Sequence, residues 1–379
     1  MTAYLLRGGT TLGEGFSDEH SDVLVKDGRI DSIGTGVSAP DAEEIDCTAS
    51  YVVPGLIDAH SHVFPYATEV GAPPDEAHLG RGVVAVNDAG TSGASSFQGF
   101  KHFVVEPARI TVTCFLNVAT TGVVDTRIGE LRHPLALSFD DALRVATDNR
   151  DIVRGFKIRL SEDVVGDRGG ELLERAVELG AAAELPLMCH IGDTTVPLPE
   201  ILDRLRPGDV VAHCYTGKPN GILTEAGRVM DDVRAARERG VLFDSAHGKS
   251  NLSFAVARSA IAGGFLPDLV TSDTSARNWR GPVFDLVTTI SKLHALGIGV
   301  PDLIARTTSA PAALLGLDRF GFGSVRQGAL ACLTVLKLLD KESELTDAEG
   351  QTMRAKRFEP IVSFANGERI PVTPWRGVA

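Results

Sequence analysis

Nowhere along this chain do Lys and Arg gather into a basic patch: 37 of them stand against 50 Asp and Glu, for a formal net charge of −13. Nucleic acid and anionic membrane surfaces require a basic footprint, so neither is expected as a partner. No apolar run is long enough to span a bilayer, and the start MTAYLLRGGT lacks the charged residues and apolar stretch of a signal peptide. A cytoplasmic protein is the expectation. The cysteines (Cys47, Cys114, Cys189, Cys214 and Cys332) are odd in number and lack CxxC spacing, which argues against a disulfide framework or zinc ribbon and for reduced, buried thiols. Neither GxGxxG nor GKS/T spacing follows a strand-like run, so no phosphate loop is expected. Repeats and low-complexity segments are also missing. What is present is an ordinary globular composition, 43% hydrophobic and 23% charged. A small molecule is the expected partner.

The 379 residues have two textures. Short β-rich runs with turns occupy the start, including DVLVKDGRIDSIG with Asp27-Gly28 at a hairpin position, and return late in ALACLTVLKL and KRFEPIVSFANGERIPV with Asn366-Gly367. The two chain ends are thus expected to build one small β-sandwich domain, residues 1–54 with 318–379. Between them, over residues 55–317, apolar strand-like runs alternate with helical or loop segments: GLIDAHSH, GVVAVNDAG, RITVTCFLN, IVRGFKIRL, LPLMCHIGD, DVVAHCYTG, GVLFDSAHG and DLVTSDT. Eight such units in order predict an α/β fold, a (β/α)8 TIM barrel.

Barrel enzymes carry their chemistry where strands end. Here those ends supply His60 and His62, Lys157, His190, His213 and Asp273. Side chains alternate along a strand, so His60 and His62 point the same way, and His190 opposes Leu187, Cys189 and Ile191. Four imidazoles and a carboxylate at one barrel mouth suit a borderline metal, zinc first, with Mn or Ni as alternatives. Lys157, amid RGFKIRLS, would be costly to bury as an ammonium. Burial favours its neutral amine, which can add carbon dioxide to form a carbamate, an anion able to bridge two cations roughly 3.5–4 Å apart. A salt bridge to Asp273 or Asp88 is the plainer alternative. Arg159, on the face of Lys157, could clamp a substrate carboxylate or pair with a local acid. Tyr215 after His213 and Asn117 ending strand three are pocket donors or rim residues.

The order DAHSH, strand-four lysine, His, His and the Asp of TSD resembles the amidohydrolase superfamily of metal-dependent hydrolases, in its binuclear class with a carboxylated lysine. PGLIDAHSHVF, NDAGTSGASSFQGF, GFKIRLS, MCHIGD, VVAHCYTGK, DSAHGKSNLSF and GFGSVRQGALACLTVLKL look like the dihydroorotase-related amidohydrolase/deacetylase group. That resemblance implies two divalent ions, one held by His60, His62 and Asp273, the other by His190 and His213, with carboxylated Lys157 between them. It implies hydrolysis of an amide or ester, an N-acyl or O-acyl group beside a carboxylate, by a hydroxide shared between the metals, with Asp273 carrying the proton. It also marks His247 as substrate-facing. Asp58, on the face of His60, is a candidate brace for the ligands. The segment DTSARNWRG departs from the histidine-bearing segment of the group, so its substrate preference does not carry over. Cyclic-amide hydrolysis of dihydroorotase or hydantoinase type is the alternative, and a non-catalytic scaffold is the alternative of another class. A homo-oligomer is the base-rate expectation.

Overall fold

The computed structural model describes residues 2–16 and 20–377. Strands β1 (Ala3–Thr11), β2 (His20–Lys26), β3 (Arg29–Gly34), β4 (Glu43–Asp46) and β5 (Tyr51–Pro54) open the chain. Near its end come β13 (Leu333–Thr346), β14 (Thr352–Ala365) and β15 (Glu368–Ile370), and all eight strands join in one sheet. Two-residue hairpins shape its edges. Asp27 and Gly28 have φ of 49° and 76°, Asn366 and Gly367 of 50° and 85°, the left-handed pair that matches the twist of flanking strands. The two hairpin tips touch: a Cβ on Gly28 would lie 3.0 Å from the Gly367 carbonyl oxygen, so the contact leaves no room for a side chain. The chain ends are therefore joined in one eight-stranded sheet with its own small apolar core.

Between the ends, β6 (Leu56–Ser61), β7 (Val83–Gly93), β8 (Thr111–Asn117), β9 (Val153–Arg159), β10 (Leu187–His190), β11 (Val210–Ala212) and β12 (Leu242–Asp244) pair side by side, all parallel, in chain order. Their residues are almost wholly buried, as a parallel sheet covered by helices requires. The predicted eighth strand differs. Segment 268–274 makes only single parallel bridges, Leu269 to Asp244 on β12 and Thr274 to Ser61 on β6. Those bridges span the gap between the first and seventh strands, so the curled sheet is barrel-like, with an irregular eighth stave. The irregularity has a local cause, because Asp273 sits at φ 50°, outside strand geometry.

Strands β13 and β14, 14 residues each, form a hairpin whose tip crosses to the barrel. At the tip Asp347 accepts from the Phe254 N–H at 2.9 Å, Glu349 accepts from the Ser253 hydroxyl at 2.7 Å, and the Ala348 N–H donates to the Leu252 carbonyl. These contacts hold the segment that follows β12. All five cysteines are free and buried, and no helix among the described residues is long and apolar enough to cross a membrane.

Candidate metal centre

The six predicted ligand residues line one cleft of about 180 Å3 at the C-terminal ends of the strands. His60, His62 and Asp273 place one donor atom each within 4.8 Å of one another, and Asp273 Oδ1 lies 3.2 Å from His62 Nε2. The rings of His190 and His213 stand 4.2 Å apart, and His213 lies 5.1 Å from His60. Lys157 is buried between these groups, its Nζ 3.2 Å from His60 Nε2. Among the described residues it makes no ion pair, so neither Asp273 nor Asp88 balances its charge directly. Asp88 instead accepts from the Val63 and Thr91 N–H groups.

Partners on the far side of each ring orient it. The His60 Nδ1–H donates to Asp244 at 2.9 Å and that of His213 to the Ala246 carbonyl at 2.8 Å, so each Nε2 lone pair faces the cleft. His62 Nδ1 lies 2.8 Å from the Thr91 hydroxyl. Burial lowers the pKa of His60, His190 and His213, the last to about 4, which keeps the rings neutral. Against the opposing effect of burial, the His62 hydrogen bond and the nearby imidazoles hold Asp273 well below the usual carboxylate range. Burial likewise pulls Lys157 down toward its amine form. Neutral imidazoles, an ionised carboxylate and a lysine with a weakened hold on its proton are the states that metal ligands must adopt. The donor set therefore fits a divalent-metal centre.

Backbone shape delivers these side chains. His213 and Asp273 adopt φ of 69° and 50°, left-handed conformations that turn them into the cleft from strand ends. Two glycines clear their surroundings. A Cβ on Gly90, φ 89°, would stand 2.6 Å from Lys157 Cβ and Cγ, and one on Gly248 would collide with Asp273 Oδ2.

Other expectations fare differently. Arg159 does reach the cleft, but its guanidinium is paired with Glu130 at 3.1 Å. Tyr215 is fully buried behind the wall and donates to the Phe265 carbonyl, which removes it as a pocket donor. Asn117 donates to the Gly90 carbonyl and accepts from the Ala119 N–H, so its amide clamps loops. His247 is buried against Lys292 of the helix Leu286–Ala295, 2.7 Å away, with its other nitrogen on the Gly248 carbonyl. Nor does Asp58 brace a ligand ring: it holds Ser272, in the turn before Asp273, through that residue's N–H and hydroxyl. The ring brace is Asp244, which was not among the residues expected at the site. Its signal was an acid ending the seventh strand, in LFDSAHG.

Comparison with known proteins places the chain. No family model matches it. It is 33% identical to Deacetylase Atu3266 of Agrobacterium fabrum over 362 residues, 94% of this chain and 88% of the relative. A deacetylase of Enterococcus faecalis is 34% identical over 353 residues, 92% of this chain and 94% of that one. The chain belongs to the amidohydrolase superfamily. This amidohydrolase is accordingly an enzyme, a hydrolase. Its backbone resembles that of a dihydroorotase crystal structure with TM-score 0.91 and 31% identity, covering 99% of both chains. An adenine deaminase structure matches with TM-score 0.89, also at 31% identity, over 98% of this chain and 100% of that one. Different activities on so similar a frame mean that the frame alone does not choose the substrate of this amidohydrolase.

Proposed function

We propose that the protein is a binuclear metal-dependent hydrolase that removes an acyl group from the nitrogen or oxygen of a carboxylate-bearing small molecule. The observation that carries this reading is the convergence of His60, His62, Lys157, His190, His213 and Asp273 on one cleft, where burial keeps His60, His190 and His213 neutral and weakens the hold of Lys157 on its proton, while Asp273 stays ionised. The curated deacetylase relatives support acyl removal as the reaction. His60, His62 and Asp273 would hold one ion, zinc by preference, His190 and His213 the other, and Lys157, as a carbamate, would join them. Bound there, the ions supply a more acidic water and positive charge for the oxygen that turns negative. Asp273 accepts the proton of the attacking water and returns it to the leaving nitrogen or oxygen. Asp244 fixes the His60 ring, and Gly90 leaves room for the Lys157 stem. Residues 55–317 form the catalytic barrel in this reading, and residues 1–54 with 318–379 a β-sandwich domain; the enzyme works in the cytoplasm.

Elemental mass spectrometry of protein grown with zinc, paired with a hydrolysis screen, tests the proposal. Expected are about two metal ions per chain, the number a bridged pair requires, and turnover of N-acetyl amino acids or O-acetyl hydroxy acids. Opening of dihydroorotate or hydantoin with acyl acids left intact would replace it by cyclic-amide hydrolysis. Metal-free, inactive protein would favour a scaffold.

A further inference from the structure

We propose that the turn after β12 holds the anion receptor of the cleft, in which Lys249 and Asn251 together bind the substrate carboxylate. The proposal rests on the acyl-hydrolase reading and names the residues that would fix the substrate. Besides Lys157, three cationic side chains line the cleft: Arg159, Lys249 and Arg277. Two have carboxylate partners within the fold, Arg159 with Glu130 at 3.1 Å and Arg277 with Glu69 at 2.6 Å. Lys249, exposed at the rim, has no ion pair or hydrogen bond among the described residues. An ammonium without a partner keeps its charge available to a ligand, whereas a guanidinium already paired with a carboxylate has to give up that partner first.

Asn251 supplies the second, independent observation. It lines the same cleft, only 5% exposed, yet its side chain holds nothing in the protein: Oδ1 is buried without a partner and Nδ2 makes no hydrogen bond. A side-chain amide that props no loop and caps no helix keeps its Nδ2 hydrogens free for an acceptor on a ligand. Its Nδ2 faces the right place. The point where a Gly248 Cβ would collide with Asp273 Oδ2 is 3.2 Å from Asn251 Nδ2, so the amide donor and the Asp273 carboxylate border one spot on the cleft floor. The neighbouring carboxylate favours the donor end of the amide at that position. A substrate carboxylate held by Lys249 from the rim and by the Asn251 N–H from the floor would set the leaving nitrogen or oxygen beside Asp273, where its proton is delivered. Arg159, already paired with Glu130, is left outside the carboxylate contact.

The test is a discrimination ratio: kcat/KM for N-acetylphenylalanine over that for its neutral carboxamide, and the same for O-acetyllactate and its amide. A charge-assisted contact accounts for about 10- to 100-fold in affinity, so Lys249→Met is expected to lower the ratio by that factor, mainly through KM. Asn251→Ala is expected to lower it about 3- to 10-fold. Metal content measured on each variant confirms an intact centre. A ratio unmoved by Lys249→Met, or one lost instead in Arg159→Gln, overturns the proposal. Wild-type protein that hydrolyses none of these compounds overturns the acyl-hydrolase reading alone. The receptor is then read by calorimetric binding of phenylacetate against phenylacetamide. Preference for the anion that disappears in Lys249→Met supports it, and preference that persists overturns it.

Discussion

Among the described residues two lysines are buried, and they differ in what surrounds them. Lys157 on β9 and Lys292 on the helix Leu286–Ala295 are 1% and 0% exposed, and burial lowers the pKa of both. Lys292 spends its hydrogens inside the protein, 2.7 Å from His247 Nε2 and 2.8 Å from the Pro282 carbonyl. Lys157 has His60 Nε2 at 3.2 Å, no carboxylate partner among the described residues, and an open cleft in front of it. Burial and a weakened proton are therefore shared by a structural lysine and the one proposed for chemistry. Open space beside neutral imidazoles is what separates them.

Substitutions at each lysine sharpen that contrast. Lys157→Ala should remove the bridge of the proposed centre, with activity falling about 1,000-fold or more and metal lost with it, as read by turnover and elemental analysis. A fully active, two-metal Lys157→Ala protein would sink the carbamate. Gly90→Ala attacks the same residue indirectly. Its methyl group would press on the Lys157 stem at a φ of 89°, so an activity loss of about 10- to 100-fold is expected, with about 1–3 kcal/mol lost in denaturant melts. Lys292→Met should do the reverse, costing about 1–3 kcal/mol of stability by stranding His247 and the Pro282 carbonyl while metal content stays at the wild-type ratio. The same residue also makes stability depend on pH. Burial holds Lys292 at about 7, below the roughly 10.4 of an unfolded lysine, so between those values the unfolded chain carries the extra proton. Stability from this residue accordingly grows as pH rises. Wild type should gain on Lys292→Met by up to about 1.4 kcal/mol per pH unit across that window, measured by melts at successive pH values.

The six residues that meet in the cleft were legible in the sequence because strand alternation and strand ends constrain them. His60, His62, Lys157 and His190 lie on strands or one residue beyond, where period two holds. Extending the same rule past a strand end is what misplaced Tyr215. Strand β11 stops at Ala212, and His213 turns left-handed, so two residues later the alternation has no meaning. The eighth strand failed for the same reason at Asp273. Asn117 was assigned by position and His247 by resemblance, but their hydrogen bonds go to backbone and to a helix that lies far away in sequence. No local pattern reveals such partners. Asp244 shows the converse: it was visible as an acid at a strand end, but its role depends on a ring 184 residues earlier.

The tip of the long β13–β14 hairpin grips Leu252, Ser253 and Phe254, immediately after the turn bearing Lys249 and Asn251. During synthesis the barrel strands leave the ribosome before this prop, which emerges only after all of them. A nascent chain can thus assemble its histidines before the neighbouring turn has its support, and the cleft reaches final form only once residues 347–349 have docked. Chain order thus places the support of the Lys249–Asn251 turn last among the parts of the cleft.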